Sequence, residues 1–178
     1  LTRSDTLEIP KECPVCGKPT EVRCVNDVSS LYCVNEECPA KHVKRFLLFV
    51  SRDAFNIEGM SEATLEKFIQ SGFLREPADM FHLDSYHDVI VEMDGFGEKS
   101  YQRLMASIQK ARKVTLAKLI YSLGILNIGL SNARLLCQHY RNDLQAMLAA
   151  STEELTAIDG IGPVIAGSFT DYFADEQH

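Results

Sequence analysis

Five of the six cysteines lie in the first forty residues, and the spacing of four of them suits a metal ion. Cys13 and Cys16 are separated by two residues and followed by Gly17, which is the pattern of a zinc knuckle. Both thiolates can therefore face one ion, while the glycine relieves crowding in the turn. Cys33 and Cys38 form a second pair with a gap of four residues. Four thiolates give the closed tetrahedral site of structural zinc, without an open position for catalysis. We predict one structural zinc ion held by these four cysteines.

The looser second pair makes Cys24 a rival ligand, and the cysteines could instead be free or paired in disulfides. Cys24 lies in a strand-like run without a partner at knuckle spacing, so we leave it out of the site. The charged N-terminus lacks the apolar stretch of an export signal. The expected compartment is therefore the cytoplasm, where thiols stay reduced. Cys137 is predicted to be a small buried apolar residue, and the five histidines to have surface or packing roles.

A pentapeptide that reads apolar, any residue, Gly or Asn, apolar, Gly or Ser occurs four times, and each copy opens a helical pattern. The repeats begin 36, 32 and 33 residues apart, and six of the ten glycines lie within them. Such regularity indicates a repeated structural unit, here a tight turn between two helices. The predicted hairpins are 57–61, 93–97, 125–129 and 158–162.

The hairpin residues suit the capture of an anion. The first small residue permits positive φ, the apolar residue packs inward, and the second glycine lets another backbone approach closely. The N–H groups at the following helix start then point outward, and the helix dipole favours an anion there. Such a site can hold a DNA phosphate without reading bases. The alternative is that these glycines only form turns in a helical scaffold, more so in the first and fourth hairpins.

The hairpins differ in the residues around the turn. The second is the best equipped, because Gly95 and Gly97 are followed by Lys99, Ser100 and Arg103, with Lys110, Arg112 and Lys113 further along. The first is surrounded by acidic residues, and Pro163 removes one N–H donor from the fourth. The other predicted DNA-binding residues are Asn127, Gly129, Ser131 and Arg134 in the third hairpin, Gly59 and Ser61 in the first, and Gly160 and Gly162 in the fourth.

The formal net charge is -7, which argues against a simple electrostatic DNA binder. Residues 1–54 carry 8 basic and 8 acidic groups, residues 55–122 carry 8 and 10, and residues 123–178 carry 2 and 7. Phosphate contacts in the last third must therefore rely on backbone donors. No apolar run approaches the roughly 20 residues of a membrane helix, so we expect no membrane partner.

These patterns predict a mainly α fold: a small β-rich module with four cysteine ligands over residues 13–40, then an all-α domain of four helix-hairpin-helix motifs over residues 41–178. Short strands are expected around Val22–Cys24 and Ser30–Tyr32, with a turn at Asn26-Asp27. After residue 50 we expect helices only. Two apolar helix faces are predicted, one formed by Tyr101, Leu104, Met105, Ile108 and Ala111, the other by Leu65, Phe68 and Ile69. Gly72 is predicted to end the second of these helices. Helix N-caps are predicted at Asp84 and at Ser151 with Glu154, and a first helical turn at Pro77.

Together these features resemble the C-terminal half of bacterial NAD-dependent DNA ligases. The resemblance covers nearly the whole chain, and the order of knuckle, linking helix and four hairpins is more specific than any single motif. Its carriers are Cys13-Pro-Val-Cys16-Gly17, Cys33, Cys38-Pro39-Ala40, the run Phe49 to Met60, Pro77 to Phe81, Leu123-Gly124-Ile125 and Ile158 to Gly162.

The resemblance implies a non-sequence-specific DNA-binding portion that grips backbone phosphates and helps to clamp nicked duplex DNA during replication and repair. It also implies that residues 1–12 form a linker or the tail of an upstream oligonucleotide-binding (OB-fold) barrel. In that family a lysine in Lys-x-Asp-Gly is adenylated, and no lysine here begins that motif. We therefore assign no catalytic residue, and expect the adenylation domain, most of the barrel, and the NAD and Mg²⁺ sites to lie outside this sequence.

Two other functions fit parts of the pattern. Hairpin pairs also occur in other repair factors, so the chain could be a stand-alone DNA-binding module. The negative charge would favour a structural or protein-interaction domain. The knuckle and the Phe49–Met60 run favour the ligase portion over both.

Overall fold

The computed structural model of the chain describes residues 9–25 and 27–175. The chain divides into two compact units, with the boundary between Lys44 and Arg45. The first unit contains an antiparallel hairpin of β1 (Thr20–Val25) and β2 (Val28–Cys33), in which Thr20 pairs with Cys33 and Val22 with Leu31. The predicted strands are confirmed. Of the predicted turn, Asp27 has φ +63°, and Asn26 lies outside the described residues.

Among the described residues of the first unit, few apolar side chains are buried. Val22, Val28, Leu31 and Val34 are exposed on the hairpin and beside it. The buried side chains among those described up to Lys44 are Cys13 and Cys38. Hydrophobic burial alone therefore cannot hold this unit together.

In the second unit, all the regular elements that the structure describes are helices. Its helices carry the four predicted turns between them, and helix α1 begins before the boundary of the units. The elements are α1 (Pro39–Val50), α2 (Glu62–Gln70), a 3₁₀ helix (Pro77–Tyr86), α3 (His87–Val91), α4 (Glu98–Ala111), α5 (Leu116–Ser122), α6 (Leu130–His139), α7 (Leu144–Ala149), α8 (Thr152–Thr156) and α9 (Pro163–Ala174). The mainly α fold with a small β-rich N-terminal part is confirmed. No helix in the described ranges is long and apolar enough to cross a bilayer.

Two apolar clusters fill the second unit, and each serves one pair of hairpins. The first is built around Phe46, Phe68, Leu104 and Ile108 and packs hairpins one and two. The second cluster includes the buried Leu136 and packs hairpins three and four. Each pair of hairpins therefore shares one core.

Most of the predicted helix signals are confirmed. On α4 the predicted face is buried except for Met105, which is half-buried. Ser151 and Glu154 form a reciprocal capping box at α8, Pro77 begins the 3₁₀ helix, and Gly72 follows α2 with φ +75°.

The predicted cap at Asp84 is wrong. Asp84 lies inside the 3₁₀ helix, and the next helix is preceded by Tyr86. The helical turn already begins at Pro77, where the Asp79 carboxylate accepts the backbone N–H groups of Arg75 and Glu76 at 2.9 Å. Once the chain is helical there, a later carboxylate has no free helix start to cap.

Candidate nucleic-acid interface and metal centre

Four cysteine thiols meet in the first unit. The Sγ atoms of Cys13, Cys16, Cys33 and Cys38 all lie within 4.8 Å of one another, with 3.9 Å between Cys13 and Cys38 and 3.5 Å between Cys16 and Cys33. Sulfur atoms at about 2.3 Å from one tetrahedral ion would be about 3.8 Å apart. The group could therefore hold a metal ion, and its dimensions and soft donors are compatible with zinc. Cys24 is exposed and outside this group.

The local backbone positions these thiols. Gly17 has φ +67°, and its N–H donates to Cys13 O at 2.9 Å, which closes the knuckle turn. Cys33 ends β2, and Cys38 immediately precedes α1. The ligand group therefore ties the knuckle, the β-hairpin and the start of a helix together.

The knuckle favours thiolates, the form in which sulfur binds a metal. A hydrogen bond from the backbone of Lys18 lowers the pKa of Cys16 to about 6. Hydrogen bonds from the backbone of Cys16 and Val15 lower the pKa of Cys13. Burial instead raises the pKa of Cys33 to about 11, so this thiol needs a cation beside it to ionise near neutral pH.

All four hairpin turns have the predicted conformation. Gly59, Gly95, Asn127 and Gly160 have φ of +88°, +83°, +64° and +86°. The apolar residue that follows is buried in three hairpins. In the second hairpin Phe96 is half-buried, with its ring centroid 5.5 Å from that of Phe68. A side chain anchored beneath the turn holds the next helix start outward.

The helix starts differ in how their backbone donors are satisfied. Ser61 caps α2, because its Oγ accepts the N–H of Thr64 at 3.2 Å. No described side chain caps α4, α6 or α9, which begin after Gly97, Gly129 and Gly162. A Cβ at any of these glycines would meet no described atom within 4 Å. These glycines are therefore not needed for internal packing, and the space above them is open to a ligand.

The side chains predicted around hairpins two and three lie on the surface. Lys99, Ser100 and Arg103 are exposed on α4, and Ser131 and Arg134 are exposed on α6. The amide of Asn127 is used internally, because its Nδ2 donates to Ser168 Oγ at 3.2 Å. In hairpin four, Pro163 is the first residue of α9 and lacks an N–H.

Within each pair, one hairpin contacts the helix of the other. Lys67 on α2 donates from Nζ to Asp94 O of the second turn at 2.9 Å. A Cβ at Gly160 would lie 2.9 Å from Leu135 Cδ1 on α6, so the fourth turn packs closely against that side chain, and its positive φ of +86° favours glycine. The two turns of a pair are thus held by the same packing.

Comparisons with known proteins agree with this arrangement. Residues 118–178, which contain hairpins three and four, match the family model described as helix-hairpin-helix motif. A protein named DNA ligase from Ruminiclostridium cellulolyticum is 52% identical over 99% of this chain and 27% of its own length. DNA ligases from Lachnoclostridium phytofermentans and Symbiobacterium thermophilum are 54% and 39% identical over 100% and 94% of this chain, and 27% and 24% of their own lengths.

These findings fit a C-terminal fragment of a DNA ligase. The chain spans about a quarter of the length of these relatives, 24–27%.

The structure also places cations beside hairpin one that the sequence did not assign to it. A groove of about 760 Å³ beside Gly59 is lined by Arg103, Lys110, Lys113 and Lys118. Arg112 is directed elsewhere, since its Nη2 donates to Phe81 O at 3.0 Å. Residues 103–118 are distant in sequence from the turn near residue 59, and only the fold brings them beside it.

Proposed function

We propose that this chain is the DNA-binding portion of an NAD-dependent DNA ligase and holds backbone phosphates of nicked duplex DNA while other domains seal the nick. The supporting observation is the set of helix starts after Gly97, Gly129 and Gly162. No described side chain caps them, and the space above each glycine is open. Backbone N–H groups at a helix start bind anions, so the grip would depend little on base sequence.

The proposed contacts are strongest at the second hairpin. Glu98 is the one carboxylate in the first turn of α4, and it is held by Gln102 Nε2 at 2.8 Å and His87 Nε2 at 3.1 Å. Lys99, Ser100 and Arg103 would add side-chain contacts to the backbone donors. At hairpin one, the Ser61 cap leaves fewer N–H groups for a phosphate. We therefore expect its turn to contribute less to phosphate binding than the three turns whose helices begin after a glycine.

The first unit would support this grip through a bound metal. We propose that Cys13, Cys16, Cys33 and Cys38 hold one structural zinc ion, which crosslinks the knuckle, β2 and the start of α1. A closed four-thiolate site stabilises a fold and leaves no position for substrate. Reduced thiols and a chromosome as substrate both suit the bacterial cytoplasm. NAD, Mg²⁺ and the sealing chemistry belong, in this proposal, to other domains of the ligase.

The first test is fluorescence anisotropy of a labelled nicked duplex across a salt series. The informative variant is Gly97→Val, because Gly97 has an extended φ of -179° and a Cβ there meets no described atom. The fold should therefore survive, while the isopropyl group covers the helix start. Ala149→Val is the matched control, since it adds similar bulk to an exposed position on α7.

We expect salt-sensitive binding by the unaltered chain, with about three to six phosphates neutralised and about 0.9 counterion released for each. Gly97→Val should weaken binding on the order of tenfold or more, because hydrogen bonds to a charged group are lost. Adding Gly95→Val should weaken DNA binding further, since Gly95 has a φ of +83° that valine adopts poorly. Equal binding by Gly97→Val and Ala149→Val would remove the second hairpin from the interface. An unaltered chain that binds no duplex at low salt would overturn the proposed function.

A further inference from the structure

The groove beside hairpin one is lined by four cationic side chains that are not engaged by acidic side chains in the described structure. Arg103 and Lys110 come from α4, and Lys113 and Lys118 from the segment that leads into α5 and its first turns. None of the described carboxylates forms an ion pair with these four residues. Glu58 is the one acidic residue among the described groove lining.

The groove is a built feature of the fold. Ser107 is buried on its floor, and its Oγ accepts the backbone N–H of Glu58 at 2.8 Å. The same hydroxyl lies 3.5 Å from Asn56 O. These contacts fix the turn of hairpin one against α4, so the opposite wall of the groove has a defined position. Lys118 is also held, because its Nζ donates to Arg52 O at 3.4 Å.

The groove continues the surface that starts at hairpin two. Lys99, Arg103 and Lys110 are spaced so that they share one face of α4. Over eleven residues, a helix rises about 16 Å. One DNA strand presents a phosphate about every 3.4 Å along the duplex axis. A strand that meets the start of α4 could therefore continue past several phosphates toward Lys113.

We propose that this groove is a second phosphate-binding track, which extends the contact of one DNA strand from the start of α4 to α5. The inference rests on the proposed DNA binding, and it adds a site of a different kind. The hairpins bind mainly through backbone N–H groups, whereas the groove binds through side-chain cations. It also gives hairpin one a role, because its turn forms a wall of the track even though Ser61 caps its own helix.

The test is the salt dependence of duplex binding by Lys110→Gln/Lys113→Gln. Both side chains are exposed and neither donates a hydrogen bond to another described residue, so the fold should be retained. The matched control is Arg75→Gln/Arg141→Gln, which removes the same charge from exposed positions outside the groove. Circular dichroism and thermal unfolding check that all proteins are equally folded.

Loss of two phosphate contacts should lower the slope of log affinity against log salt by about 1.8. The loss of affinity between 50 and 200 mM salt should then be about tenfold smaller than for the unaltered chain. The control pair should keep the original slope. Glu58→Gln should act in the opposite direction and tighten binding at low salt, because it removes the carboxylate from the track.

The outcomes separate this inference from the proposed function. If the groove variant and the unaltered chain have the same slope, or if the control pair lowers the slope equally, the track is wrong and the hairpin proposal stands. If the groove variant loses binding to polyglutamate while its DNA slope is unchanged, the groove is a protein-binding site and the inference is overturned. If the unaltered chain shows no salt-sensitive DNA binding, both proposals fall together.

Discussion

In the part of the chain that ends at Lys44, the buried side chains among those described are Cys13 and Cys38, whereas the part that starts at Arg45 buries two apolar clusters. The first unit exposes Val22 and Leu31, which face each other across its β-hairpin. The second unit encloses Phe68, Leu104 and Leu136 almost completely. One unit thus depends on four thiols and the ion they would share, and the other on ordinary hydrophobic burial. The two units should therefore unfold under different treatments.

The largest effect should come from loss of the thiol group. Cys13→Ser/Cys16→Ser should abolish the binding of one zinc ion per chain and unfold the first unit, because structural zinc sites contribute on the order of 10 kcal/mol of apparent binding energy. The helical transition of the second unit should persist. Metal content and circular dichroism measure the two effects. Cys24→Ser is the control and should retain the ion, because Cys24 is exposed and outside the group. An unaltered protein without zinc would contradict the assignment.

The reverse experiment destabilises the second unit and leaves the first unit intact. Phe68 is fully buried and contacts the rings of Phe73 and Phe96 at centroid distances of 5.7 and 5.5 Å. Phe68→Ala should lower the free energy of unfolding by about 3–5 kcal/mol, while the zinc content stays at one per chain. Urea unfolding provides the measurement. Val89→Ala, at an exposed position, should change stability by less than about 0.5 kcal/mol. Loss of zinc in Phe68→Ala would show that the units are not independent.

A smaller effect is expected within the second unit at Ser107. Ser107→Ala would leave the backbone N–H of Glu58 without its acceptor and loosen hairpin one from α4. The expected loss of stability is about 1–3 kcal/mol, accompanied by faster amide hydrogen exchange at Glu58. Ser85→Ala, at an exposed position, serves as the control. Unchanged exchange at Glu58 would mean that this hydrogen bond does not fix the groove wall.

The smallest effect is a difference in pH response. Hydrogen bonds to Asp88 and then Glu98 raise the pKa of His87. A raised folded-state pKa stabilises the fold below the ordinary histidine value near 6.5, and this contribution is lost as the pH rises through the folded-state value.

The second unit should therefore lose a little stability from about pH 6.5 upward, whereas metal binding by thiols strengthens as protons leave. Urea midpoints across pH 5.5–8 should show a slope that His87→Gln flattens and that the control His139→Gln leaves unchanged. An identical slope in His87→Gln would exclude His87 as its source.

Much of this organisation could be predicted from local patterns. The cysteine spacing places ligands within reach, and glycine or asparagine at a fixed turn position needs positive φ, as Gly95 and Asn127 have. The prediction fails where a nearby residue changes the local register, as Asp79 does when it starts a helical turn before Asp84. It also misses contacts between distant segments. The groove depends on a contact between Ser107 and Glu58, which are 49 residues apart in sequence. No local sequence pattern predicts that contact.

The three glycine caps have a consequence for attempts to engineer this protein. A serine at Gly97, Gly129 or Gly162 would satisfy a backbone donor from within, as Ser61 already does, and stabilise the helix by a few tenths of a kcal/mol. A designer who selects for thermal tolerance would therefore favour such changes. Each would draw an N–H group away from the surface where a phosphate could use it. If the proposed function holds, a variant with a more stable fold would then bind DNA less tightly.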